Sequence, residues 1–256
     1  MLKLIGRKFL EFSSNLGKWV LFTIKLIVSF DEHSKPKNFL EQIVKIGTLG
    51  FPVVAFMSVF VGGVMAVQSE YTLRKFGAEA FTGSAVALAV IRELSPVLTA
   101  LLVIGRSGSA ITAEIGVMKI TEQIDALKSL RINVFSYLYA PRFWGFTVAV
   151  PVLTGFSMSV AVLASYLLSV NVLGLSSGMF INQMHSAVEA QDIISGLLKG
   201  LFFGMIGGIV SVYKGSFSEA GSQGVNKATT ECVVLGSILV LVLDFILTSL
   251  FLKYLF

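Results

Sequence analysis

With 256 residues, 55% of them apolar and only 14% charged, the chain lies well below the roughly 25% charged residues of an ordinary soluble domain and belongs in a bilayer. The length fits five or six spans of about 20 residues with their connections and leaves no room for an added soluble catalytic domain. A single cysteine, Cys232, excludes an internal disulfide and offers no metal cluster, and the net charge of +5 sits near the N-terminus and in connections, as membrane-flanking charge does rather than as a nucleic-acid surface.

The first element is an interfacial region, residues 1–45. Leu2, Ile5, Phe9, Phe12, Leu16 and Trp19 recur at helical spacing, and Lys3, Arg7, Lys8 and Lys18 supply a basic side suited to anionic headgroups. The next apolar run, WVLFTIKLIVSF, carries Lys25 and is too short to span, so it too is expected in the interface. Met1 to Phe30 lacks a compact apolar core followed by a small-residue cleavage site, so no cleavable signal is expected.

Residues 46–256 are expected to form one all-α transmembrane domain with about five spans: Ile46 to Gln68, Phe81 to Ile104, Phe143 to Val170, Ile193 to Tyr213 and Cys232 to Leu252. The first contains Gly47, Gly50, Gly62 and Gly63. The fourth repeats Gly196, Gly200, Gly204 and Gly208 at four-residue intervals, which predicts a surface on which a second helix approaches closely.

Charge interrupts three spans: Arg92 and Glu93 in the second, Lys199 in the fourth and Asp244 in the fifth. Charges at membrane depth are costly unless paired or hydrated, so these groups are expected inside the bundle or on an aqueous cavity. Asp192, seven residues before Lys199 and therefore on the same helical face, is a further member of this polar network or else marks the helix entrance.

Between the second and third spans, about 106–142, the chain reads as a glycine-rich turn followed by a short amphipathic helix, TEQIDALKSL, opened by Thr121 as a cap. Ile124, Leu127 and Leu130 form one face, and Glu122, Asp125 and Lys128 lie elsewhere, a pattern suited to docking a soluble partner. The glycines at 105, 108 and 116 do not make a phosphate loop, because GxxxxGK[ST] occurs nowhere in the chain.

Eight Lys or Arg in the first 45 residues and five between Arg106 and Arg142, against none from Asn171 to Gln191, place the N-terminus and the segments 106–142 and 214–231 in the cytoplasm. The connections around 69–82 and 171–191 then face outward.

The run RELSPVLTALLVIGRSGSAITAEIGVMKITEQIDAL, then APRFW, GVNKATTECVV and LDFILTSL, in this order, resembles the MlaE (YrbE, TGD-type) permease family of MCE-associated, lipid-transporting ABC systems, from about Phe39 onward. The resemblance implies a homodimeric permease subunit that performs no bond chemistry and holds no cofactor. ATP and Mg would sit on two copies of a separate ABC ATPase, and an MCE-domain lipid-binding protein, a hexameric ring, would meet the outer side. Its cargo would be a phospholipid or related lipid, moved between inner and outer membranes so as to maintain outer-membrane lipid asymmetry. The absence of a Ser- and Arg-rich transit segment directs the expectation to a bacterial inner membrane. The resemblance further implies that Glu122, Gln123 and Asp125 lie nearest the ATPase, and that Met65, Thr72, Leu73, Phe76 and Glu93 wall a lipid cavity at the dimer centre. A wide apolar cavity with few polar partners at its mouth is also what a two-chain lipid requires.

Two other classes compete. An ion-coupled secondary transporter would use Glu93, Lys199 and Asp244 as a proton relay and need no ATPase. A membrane enzyme would need a nucleophile and base in proximity, whereas His33 and His185 fall in connections on opposite sides.

Overall fold

The computed structural model describes residues 17–29 and 36–254. The basic and apolar positions from Leu2 to Leu16 and His33 lie outside the described residues.

In chain order, α1 is helical over residues 17–28. It is followed by α2 (Pro36–Arg74), α3 (Glu79–Ile120), the short α4 (Gln123–Ser129), α5 (Phe135–Asn171), α6 (Ser177–Ala187), α7 (Ala190–Ser216) and α8 (Ser222–Tyr254). No strand occurs among the described residues. Helices α2, α3, α5, α7 and α8 are each long and apolar enough to cross a bilayer, as the five apolar runs predict.

The packing rests on glycine. A Cβ at Gly204 would lie 3.1 Å from the backbone of Phe146 and Thr147, and one at Gly208 would lie 3.1 Å from Phe143. One at Gly200 would lie 2.9 Å from Thr154 Oγ1. The predicted stripe on α7 therefore meets the α5 backbone directly, over a core that includes Phe143, Phe146, Val150 and Phe203. On α2 the tightest point is Gly62, whose Cβ would fall 2.0 Å from the carbonyl oxygen of Ala161 on α5.

Three expectations change. The glycine-rich segment at 104–108 is not a turn: α3 continues through it as a single wide π turn, Ile104–Gly108, and ends only at Ile120, so the non-spanning segment begins later than 106. Gly108 and Gly116 are there for close contact, since their Cβ atoms would meet Ser211 Oγ at 2.8 Å and Val225 at 2.9 Å. Thr121 does not cap α4: its hydroxyl donates back to Val117 O, and the break between α3 and α4 comes from Glu122 in the left-handed region, φ 58°. Leu130, expected beside Ile124 and Leu127, is exposed, because α4 ends at Ser129 and Arg131 turns the chain at φ 57°.

The 171–191 connection holds a helix, α6, that its Ser, Asn and Gln content hides. Phe180 of α6 is buried, and its carbonyl lies where a Cβ on Gly83 of α3 would be, 2.5 Å away. Helix α1 turns Phe22 and Leu26 inward, and the Phe22 ring meets Phe135, Tyr139, Tyr213 and Phe217. Its opposite side leaves Leu21 and Val28 exposed, the arrangement of a helix between protein and lipid.

Candidate functional site

Pro96 shapes the site. Proline lacks an N–H and clashes with the carbonyl four residues earlier, so an α-helix cannot pass through it undisturbed. Here α3 widens into a π turn at Val90–Leu94, and the Ser95 N–H bonds to Val90 O, five residues back. That turn carries the two adjacent charges, Arg92 and Glu93, toward α7.

They meet α7 two helical turns apart. Arg92 Nε donates to Asp192 Oδ1 at 2.6 Å, and Nη2 of the same guanidinium lies 2.5 Å from that oxygen as an ion pair. Asp192 is fully buried; its other oxygen accepts the Glu189 N–H at 2.8 Å and closes a reciprocal capping box at the start of α7. Glu93 receives Lys199 Nζ at 2.5 Å. Lys199 Nζ also donates to Thr248 Oγ1 at 2.7 Å and lies 3.0 Å from Asp244 Oδ1, which is off the direction of a hydrogen bond, so that link is ionic only. Thr248 in turn donates to Glu93 Oε2 at 3.2 Å.

The four charges named in the sequence are thus brought together with Glu93, but as two joined groups: Arg92 with Asp192, and Lys199 with Glu93 and Asp244. Together they tie α3, α7 and α8. Lys199 is only 2% exposed, whereas Glu93 is 40% exposed and lines a cavity of about 70 Å³ with Arg92, Ser195, Lys199, Thr248, Phe251 and Leu252. A site of this shape holds a fixed cation at its back and presents a carboxylate at its mouth. It suits an amine, a hydroxyl or ordered water in front of Glu93. Thr248 was missed, although its spacing from Asp244, four residues along α8, puts both on one face.

The proposed lipid wall is arranged differently. Met65 packs half-buried against Val86, Val90 and Ala161, and Leu73 is half-buried, while Thr72 and Phe76 are exposed, Phe76 to 79%. All four lie on the last turns of α2 and just beyond. Glu93 is not among them; the lining of its cavity includes none of the four.

At the other end of the bundle, α4 presents Glu122, Gln123 and Asp125 on its exposed surface, anchored by buried Ile124. Asp125 pairs with Lys128 at 2.7 Å and Gln123 Nε2 donates to Thr121 Oγ1 at 3.0 Å. Behind it, Glu114 of α3 pairs with Lys45 of α2 and, at 3.4 Å, with Arg142 of α5, a three-helix tie that the sequence reading did not identify.

Five spans, paired charges inside the bundle and a short exposed helix between the second and third spans are what the apolar runs, the intramembrane charges and TEQIDAL led one to expect; the π turn that carries Arg92 and Glu93 is new. Residues 39–250 match the sequence profile of the family described as Permease MlaE. The chain belongs to the MlaE permease family. Among its relatives, the intermembrane phospholipid transport system permease protein MlaE of Haemophilus influenzae is 34% identical over 247 residues, covering 96% of this chain and 95% of that protein. A probable ABC transporter permease protein of Rickettsia bellii is 37% identical over 253 residues, covering 97% and 96%. The chloroplastic protein TRIGALACTOSYLDIACYLGLYCEROL 1 of Arabidopsis thaliana is 35% identical over 215 residues, covering 84% of this permease and 61% of the plant protein.

Proposed function

We propose that this permease is the membrane subunit of an ABC transporter that moves phospholipids or related lipids between the inner and outer membranes of a bacterium and so maintains outer-membrane lipid asymmetry. It works as a homodimer in the inner membrane with its N-terminus in the cytoplasm. Two copies of a separate ATPase bind Mg and ATP, and an MCE-domain protein receives or delivers lipid on the outer side. The observation that carries this reading is the end-to-end similarity to a permease named for intermembrane phospholipid transport.

Several features support it. The free faces of α2 and α8 are apolar, with Phe56, Phe60, Val64, Ile238, Phe245 and Leu250 exposed, as lipid-facing or chain-binding surfaces require. Thr72 near the end of α2 and Phe76 just beyond it are exposed, available to a lipid or to a second copy. In this reading Glu93 meets a headgroup amine or its water rather than a phosphate, which the carboxylate would repel unless Arg92 intervenes. Glu122, Gln123 and Asp125 face the ATPase.

The test is purification in mild detergent from the native membrane, with identification of co-purifying proteins and mass spectrometry of extracted lipid. An ATPase, an MCE-domain protein and stoichiometric phospholipid are expected. The chain alone, without lipid above background, would overturn the proposal. Replacing both Glu122 and Asp125 with Lys is expected to release the ATPase from a folded permease. Transport that continues without nucleotide hydrolysis but stops in Glu93→Gln would instead establish ion coupling.

A further inference from the structure

One cavity lies apart from the charged network. Between α2, α3 and α5 it is lined by Val54, Met57, Ser58 and Val61 from α2, by Ser95, Leu98, Thr99 and Leu102 from α3, and by Ser157 and Ala161 from α5. Four hydroxyls meet in this apolar slot. Ser58 donates to Val54 O at 2.7 Å and lies 2.8 Å from Ser157 Oγ. The single Ser58 hydroxyl proton is thus within reach of both Val54 O and, across the α2–α5 contact, Ser157 Oγ. Ser95 and Thr99 are 2% and 1% exposed, four residues apart on one face of α3, and neither hydroxyl has a hydrogen-bond partner among the described residues.

Each buried hydroxyl left unpaired costs stability comparable to a lost hydrogen bond, and two beside each other in one slot call for a common partner. The space in the slot is about 10 Å³, the least that admits one water and far too little for a lipid ester or headgroup. A buried water needs two to four polar partners; here Ser95 and Thr99 stand on one wall and the Ser58–Ser157 pair on the others. We infer that the slot between α2, α3 and α5 is a binding site for a single water molecule, held by Ser95 and Thr99 and joined to the Ser58–Ser157 pair. The water makes this three-helix contact a hydrogen-bonded joint within an otherwise apolar interface. Ser95 directly follows the π turn, so the joint fixes α3 where that turn aims Arg92 and Glu93.

The inference is independent of what the permease transports, and two measurements on the full chain in detergent decide it. In radical footprinting with millisecond X-ray exposure in H₂¹⁸O, half-buried Leu98 is expected to be modified by an oxygen that exchanges with the bulk more slowly than that found on exposed Leu130. No modification of Leu98, or label arriving as fast as at Leu130, overturns the assignment. The second is Thr99→Val, which keeps the shape and removes one partner of the water. It is expected to lower the thermal unfolding midpoint by about 2–4 °C and to reduce the slow labelling of Leu98. A dry slot would instead gain from the added methyl, and an unchanged or raised midpoint overturns the site. Should the variant fail to fold, the footprint of the unaltered chain decides alone.

Discussion

The charged groups on α3, α7 and α8 and those on α4 are built from the same residue types and do opposite work. Lys199 and Asp192 are essentially sealed from the surroundings and each bonds across helices far apart in sequence. Asp125 and Lys128, at 65% and 62% exposure, bond only to each other within one turn. Desolvation separates the two cases: a buried charge that loses its partner is stranded, whereas an exposed one is taken up by water. The first group holds the bundle together, and the second contributes little to the fold and stays open to solvent.

The largest effect is expected from Lys199→Met, which leaves Glu93 and Asp244 facing a neutral thioether. The two carboxylates left behind repel each other without a cation between them, but Glu93 is 40% and Asp244 20% exposed, so water takes up part of the loss. The cost falls at the low end of that for a broken buried pair, about 3 kcal/mol, to be read as a fall in the unfolding midpoint of the purified permease. Adding Glu93→Gln and Asp244→Asn should recover much of it, since neutral groups tolerate the site once no charge is stranded. If Lys199→Met melts like the parent, the contrast between the two regions fails at its stronger end.

Asp192→Asn comes next. It removes the charge opposite Arg92 and weakens the capping box, yet an amide oxygen can still accept from the Glu189 N–H. Loss of a charge-assisted hydrogen bond of this kind is worth about 1.5–3 kcal/mol. Comparing its loss with that of Lys199→Met in denaturation of the same preparation orders the two joined groups.

How far these regions were legible in the sequence follows the same division. Apolar runs fixed the five spans, and the four-residue glycine repeat identified the α5–α7 contact, because helical period and small size are local properties. The intramembrane charges stood out as functional candidates for the cost of burying them. Which carboxylate meets which cation did not, because the choice depends on the π turn at Val90–Leu94, and that follows from how Pro96 is accommodated in three dimensions. The same turn geometry explains the misread segment at 104–108, where glycines that suggested a turn serve helix contact. Helix α6 was hidden by its polar composition, and the Lys45–Glu114–Arg142 tie by the long sequence separation of its members.

That tie lies between the two extremes. Lys45 and Glu114 bridge two helices, but they remain 46% and 34% exposed. Lys45→Met is therefore expected to cost only about 0–1 kcal/mol, with Arg142 still holding Glu114. A loss that shrinks at high salt would confirm screening; a loss as large as that of Lys199→Met would move this tie into the buried class.

Lys128→Ala should do least to the fold. An i,i+3 pair on an exposed helix face contributes about 0.2–0.5 kcal/mol, and α4 is held by Ile124, which is 5% exposed, rather than by its charges. The midpoint should hardly move. What changes is Asp125, which loses its neighbour at 2.7 Å and becomes a free carboxylate beside Glu122. If this surface docks a basic patch of an ATPase, association measured at low salt should strengthen and the gain should vanish as salt is raised. A destabilised α4 with no change in association would mean that the Asp125–Lys128 pair is part of the fold, and the distinction between binding and holding charges would have to be drawn on grounds other than exposure.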